Sequence, residues 1–538
     1  MDLLLTNAQI YPLTAENETY SACLIHNGKI VKLFDRDPHP EGVKANVLDA
    51  QGATVLPGLI DGHFHFMPTA GLHEMALNVM EVQDGKLVPE DLDAFRIKLQ
   101  QYAATRPAHL PILCFNYIVP GIKEDRLPFR SELDAYVPDR AIIVLSMDGH
   151  SSAYSTKGLQ LMGINPEGHS GLLDGEAHEF QIGRLNGIVM KYVSLGMLLR
   201  GMQYVISDAI QHGVVGIHCL EGFEDSPNDL VMRLFTTFAP VFPLYLRLFP
   251  QYIHPERVAP LRKKMIYPRV GGCGSWEQDG SIGSRTAGFY EPFADNPNNF
   301  GKCYYSPEKM TEIVDQMHRA GYQITSHAIG TKALDVILAA YDTVLQPEGY
   351  QNRLRHRIDH FEFPSAEQVD WAISRMHLLI TAQPGYSWMD ETYQKGYRKY
   401  LQPEQFARQI PLRKIVEKGG ILIGGSDSPV QHLNPFTQLH GMINFPLEHE
   451  QLSIFQAFRT YTANAAYSTF EEQTRGTLEV GKNADFIVLD RNPFTIPKEK
   501  IIDLRVKATY LQGRRLDPKI KSTAGFLAYW LTQSKKKI

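Results

Sequence analysis

The chain has 538 residues, 43% of them apolar, and a formal net charge of −5. That length buries a sizeable core and exceeds what one compact domain usually needs. The mild acidity, with no basic stripe, argues against a nucleic-acid partner, and no apolar run approaches the roughly eighteen residues that suggest a membrane span.

The opening MDLLLTNAQIYPL lacks the basic region and long apolar run of a signal peptide. Cys23, Cys114, Cys219, Cys273 and Cys303 are scattered and form no CxxC, which fits a reducing compartment, so a cytoplasmic protein is expected. The first fifty residues read as short strands, LLLTNAQIYPL, CLIHNGKIVKLF and KANVLDAQGATVLPG, with Asn27-Gly28 as a two-residue hairpin turn. Next comes GLIDGHFHFMP, residues 58–68. In a strand, residues two apart share a face, so His63 and His65 point together while Phe64 faces away. Two imidazoles on one face at a strand end make half of a metal site.

A large insertion is expected after this first barrel strand, from about 70 to 205, with strands PILCFNY and AIIVLSMDG of its own. It would form part of a lid or wall. Beyond it, VVGIHCLEG, PLYLRLF, YQITSHAIG, RHRIDHFEF, HLLITAQPGY and GILIGGSDSP read as strands. SPEKMTEIVDQMHRA and TKALDVILAAYDTVL, between them, read as helices. Repeated β-then-α units predict an α/β protein with a (β/α)8 TIM-like barrel over 56–469. RGTLEVGKNADFIVLDRNP and VKATYLQGRRL return to strand texture, so 1–55 and 470–520 are expected to pair into one small β-sandwich domain. Residues 521–538, ending GFLAYWLTQSKKKI, suggest a short amphipathic helical tail with a solvated cationic end, Lys535 to Lys537.

Ionisable residues gather late in the barrel strands: His327 in YQITSHAIG, His360 in RHRIDHFEF and Asp427 in GILIGGSDSP. That is the end where a barrel carries its active site. Each alone has a structural explanation, such as a histidine bonded to a carbonyl or an aspartate capping a helix. Together with His63 and His65 they can converge on one cation.

This pattern of HxH, two later histidines and a final aspartate resembles the amidohydrolase superfamily. DGHSSAYS (148–155), DGSIGSRTA (279–287), SHAIG (326–330), RHRIDH (355–360), GSDSPV (425–430) and GTLEVGKNADFIVLDRNP (476–493) are similar to its YtcJ-like branch, to which N-substituted formamide deformylase belongs. The resemblance implies a metal-dependent barrel with a small β-domain from both termini, hydrolysing an amide or related C–N bond of a small molecule. It implies that His63, His65, His327, His360 and Asp427 hold one or two divalent ions, zinc foremost, with Mn, Fe or Co open. Asp427 would be the general base and pass its proton to the leaving nitrogen. A homodimer is expected by family habit.

The chain departs from the branch at one point. Relatives with two metals carry a bridging lysine on the fourth strand, and VGGCGSWEQDGS (270–281) has none. Glu277 or Cys273 could substitute, Lys191 could reach in from the insertion, or the site could hold a single metal, which is the favoured reading. A buried structural thiol is the expectation for Cys273. Asp148, His150, His218 and Glu221, at the ends of two strands, are candidates for orienting substrate. Arg285 could bind a substrate carboxylate or carbonyl bidentately, or brace a loop. Tyr154, Trp276 and Tyr386 are candidate walls or core. Deamination, cyclic-amide opening, and a non-catalytic metal-binding regulatory role are the alternatives.

Overall fold

The computed structural model describes residues 2–38, 45–226, 229–517 and 536–538. Eight strands run parallel: β1 (Leu59–Phe64), β2 (Val214–Glu221), β3 (Tyr245–Pro250), β4 (Arg269–Glu277), β5 (Gln323–Ala328), β6 (Arg357–His360), β7 (Leu379–Ala382) and β8 (Leu422–Gly424). β1, β2 and β3 form one hydrogen-bonded sheet, and β4 to β8 form another in chain order. Just past β8 the chain returns to β1: Phe64 bridges Ser428, and Asp427 N donates to His63 O at 2.8 Å. β3 and β4 lie side by side, with Arg269 Nε donating to Leu248 O at 3.3 Å. The strands are buried almost throughout, as the unbroken apolar runs demand when both faces are covered.

α1 (Phe66–Met75) leaves β1, and the chain then builds a separate five-stranded sheet. Its order is Leu172–Asp174, Ser151–Tyr154, Ile142–Ser146, Ile112–Tyr117 and Ala76–Asn78. Phe95, Leu99, Ile112, Cys114, Ile142 and Val144 give this sheet its own core. α2 (Gly175–Val189) follows, then α3 (Leu195–Gln211), which packs on α1 and leads into β2. The expected end of the insertion, 205, thus falls inside α3, whose apolar face belongs to the core shared with α1.

The two ends of the chain meet in one sheet, ordered Gln9–Ile10, Thr54–Pro57, Phe486–Leu489, Val506–Leu511 and Arg514–Arg515. A second sheet holds Lys29–Phe34, Ala22–His26, Leu3–Thr6 and Asn46–Asp49. The two share a core that includes Leu5, Ile25, Val55, Phe486 and Tyr510. Asn27 and Gly28 have φ of 50° and 80° between antiparallel strands, the geometry a tight hairpin requires.

Residues 521–535 of the expected helical tail lie outside the described residues. At its end Ile538 is buried, its amide donating to Lys264 O at 2.9 Å, while Lys536 and Lys537 are exposed. No helix among the described residues is long and apolar enough to cross a membrane.

Candidate metal centre

β1 delivers two histidines to one spot. His63 Nε2 and His65 Nε2 each lie 3.1 Å from Asp427 Oδ1, while Phe64 between them is buried in the core. His65 Nδ1 lies 3.3 Å from Leu220 O, which commits that nitrogen as a donor and leaves Nε2 as the lone-pair side. His63 Nδ1 lies 3.4 Å from Asp359 Oδ2, a carboxylate placed to orient the ring. Asp427 and His360 adopt φ of 57° and 73°, a left-handed conformation unusual for non-glycine residues. Such strain persists where the surrounding structure imposes it, and it gathers at functional sites.

β5 and β6 supply His327 and His360, whose rings are 4.4 Å apart, with His360 5.1 Å from His63. Both rings are buried, and all four of their nitrogens lack a hydrogen-bond partner. A buried polar atom left unpaired costs on the order of 1–3 kcal/mol. Four in adjoining rings mark a place shaped for something the protein does not itself supply. Burial, with neighbouring imidazoles, holds His327 well below the usual histidine range and brings His360 down to about 3. Both are therefore neutral, the form that ligates a metal. Burial also favours neutral His63, yet Asp427 and Asp359 push it up to about 10. Burial opposes ionisation of Asp427, but His63, His65 and His360 hold its carboxyl well below the usual range.

β4 breaks its ladder here. Gly272 pairs with Ser326, and the next paired residue is Glu277, opposite His327, so 273–276 bulge out. Gly271 and Gly272, at φ of 109° and 119°, make the bulge feasible. A Cβ on Gly271 would lie 1.9 Å from Thr325 O, and one on Gly272 2.1 Å from Leu220 Cδ2. The bulge turns Cys273 Sγ to within 3.5 Å of His63 Nε2. One donor atom each from His63, His65, Cys273 and Asp427 lie within 4.8 Å of one another, a mixed N, S and O set that suits zinc. Cys273 is buried, as expected of a structural thiol, and it also lies among the candidate ligands. Glu277 joins a different group, with donor atoms of His150 and Glu179 within 4.8 Å of its own. Lys191 is exposed on the short turn Met190–Tyr192 and lines neither cavity beside the centre.

The other candidates divide. His150 Nδ1 lies 2.9 Å from Glu179 Oε1, and its ring is 5.4 Å from that of His327, so it lines the cavity. Asp148 also lines it, but its oxygens accept from Ser281 and Ser284 at 2.7 and 2.8 Å and from the amide of His150 at 3.1 Å. It ties the DGS loop to the insertion. Glu221 accepts from the amides of Phe66 and Met67, at 2.7 and 3.2 Å, and so holds the start of α1. Two candidates line neither cavity. His218 is buried against Phe249 and Arg357. Arg285 is a loop brace: it donates to Asp295 at 2.5 Å and Asp125 at 2.8 Å and stacks over Tyr400. Tyr154 and Trp276 are fully buried core residues. Tyr386 instead donates its hydroxyl to Asp427 Oδ2 at 2.7 Å. Glu179, on α2, was not anticipated, because a lone glutamate in an amphipathic segment carries no spacing signal.

The family model described as "Amidohydrolase family" matches residues 46–517. A putative amidohydrolase, YtcJ of Bacillus subtilis, is 24% identical, covering 94% of this chain and 97% of the relative. N-substituted formamide deformylase of Arthrobacter pascens is 22% identical, covering 95% and 97%. Among solved structures, an uncharacterized metal-dependent hydrolase from Pyrococcus horikoshii OT3 has a TM-score of 0.69 at 19% identity, covering 93% of this chain and 99% of that one, and shares its mixed α/β fold. The chain belongs to the amidohydrolase family.

Proposed function

We propose that the protein hydrolyses an amide or related C–N bond of a small molecule, and that Asp427 is the general base. The four unpartnered nitrogens of His327 and His360, beside the converged His63, His65 and Asp427, are the observation that carries this reading. His63, His65 and Asp427, with Cys273 within reach, would hold a divalent ion, zinc by its donor set, and His327 and His360 beside them would complete its coordination or bind the substrate carbonyl. One tightly held ion is favoured, because no lysine bridges a pair. When bound, such an ion polarises a carbonyl and makes water acidic enough to deprotonate near neutral pH. Asp427 Oδ1 faces the two β1 histidines, so Oδ2 is the oxygen that takes the proton and returns it to the leaving nitrogen. The Tyr386 hydroxyl fixes that oxygen by its hydrogen bond. β1 to β8 are read as one (β/α)8 barrel over 56–469, with the terminal sheets, 1–55 and 470–520, as a β-sandwich. Five free cysteines suit a reducing, cytoplasmic setting.

Metal-loaded protein assayed against N-acyl compounds, formamides and cyclic amides tests this. We expect turnover of at least one amide, and Asp427→Asn to lower kcat by on the order of 10²–10⁴. Full metal occupancy by elemental analysis with no turnover on any compound would leave a binding protein instead.

A further inference from the structure

Beside the metal centre the cavity runs out between α2, the loop after β2 and the end of β4. Its lining includes Glu176 and Glu179 from α2, Glu224 and Asp225 from the loop, and Glu277 from β4. Among the described residues, no lysine or arginine lines it. Glu224 has its own cation, Arg257, at 3.1 Å. Glu179 and Glu277 share the single imidazole of His150. Two buried carboxylates beside one imidazole can both ionise only at a cost away from water, a cost that a further cation would relieve.

Glu277 carries the stronger sign. The residue is 6% exposed, its Oε1 accepts from Gly274 N at 2.8 Å, and its buried Oε2 has no hydrogen-bond partner. The hydroxyl of Tyr304, which lines the same cavity, is also buried, beside Thr286. Leu72, Phe115, Ile182 and Ile253 supply apolar wall between these groups and the mouth. The geometry therefore offers an acceptor, a counter-charge and a slot for an alkyl or aryl stem, one ring away from His327.

We propose that the substrate bears a protonated amine or guanidinium, and that Glu277, with Glu179 and His150, is the subsite that binds this cation. The proposal rests on the hydrolase reading of the adjoining centre. It assigns the insertion a role: α2 brings Glu179 to the cavity and so selects for charge, while the metal centre is left to act on the bond. A compact divalent ion at the same three side chains is the competing occupant.

Calorimetric titration of the metal-loaded protein with benzylammonium, benzyl alcohol and benzoate decides the matter without turnover. Benzylammonium should bind at least about tenfold more tightly than the alcohol, a difference of about 1.4 kcal/mol, and benzoate more weakly than either. Glu277→Gln and, independently, Glu179→Gln should remove the preference while circular dichroism stays that of the wild type. Equal binding of ammonium and alcohol would overturn the proposal, as would a preference that survives in both variants. An extra equivalent of metal in the wild type, lost in Glu277→Gln, would overturn it in favour of a second ion. A cation preference with no hydrolysis of any amide would support the subsite and sink only the hydrolase reading. Hydrolysis of neutral amides with no cation preference would do the reverse.

Discussion

Asp427 concentrates the physics of the centre in one side chain. Its backbone sits at φ 57°, its carboxylate is buried, and three histidines keep it ionised. The neutral donor to Oδ2 is the Tyr386 hydroxyl at 2.7 Å. A carboxylate oxygen stripped of its donor reorients and loses its aim, and a single hydrogen bond to a charged group is worth about 1.5–3 kcal/mol. Tyr386→Phe should therefore lower kcat on the best amide substrate by roughly tenfold to a hundredfold. Metal content, measured in parallel by elemental analysis, should not change, since the hydroxyl is not among the donor groups. An unchanged kcat would reduce Tyr386 to a wall residue.

At the scale of the element, β4 decides what the centre contains. Its bulge sends Cys273 toward His63 and Glu277 toward His150, and the glycine pair makes that path sterically open. Gly271→Ala places a Cβ 1.9 Å from the carbonyl oxygen of Thr325 at a φ of 109° that alanine rarely adopts. Strain and overpacking together should cost upwards of about 3 kcal/mol. Urea denaturation would register this as a lower midpoint, and a midpoint equal to that of the wild type would mean the bulge is not held as described. The same element shows what could be read beforehand. His63 and His65 were legible because a strand alternates with period two, and His327, His360 and Asp427 because they end apolar runs. The bulge was not, because its register is set by Ser326 and His327 on a neighbouring strand. The choice between the two readings of Arg285, substrate binding or loop brace, was not legible for a similar reason: its partner Asp125 is 160 residues away. Glu179 could be placed only once α2 was folded across the cavity.

Across the whole molecule, the centre depends on how the chain's late segments are tied back to the eight strands. Glu471 follows the last helices and leads toward the terminal sheet, and it accepts from Arg247 of β3 at 2.5 and 2.6 Å. Arg475 lies 3.2 Å away, and both arginines are nearly buried. Burial opposes the charge on Glu471, but the Arg247 contact and then Arg475 and Arg269 bring its carboxyl down to about 2. The unfolded value is about 4.5, so the folded pKa is the lower one. The stabilisation is thus fully present above about pH 4.5 and is lost as pH falls toward 2. A shift of that size corresponds to about 3 kcal/mol. Glu471→Gln should remove at least that much stability at pH 7, because Arg247 is left buried with its partner gone. Denaturant titrations of both proteins between pH 2 and 7 should show the gap closing as the solution is acidified below about pH 4.5. Other buried carboxylates titrate in the same window, and subtracting the two curves cancels them. If the gap stays constant down to pH 2, Glu471 is not ionised in the folded state, and the join between β3 and the terminal sheet is held by packing rather than by charge.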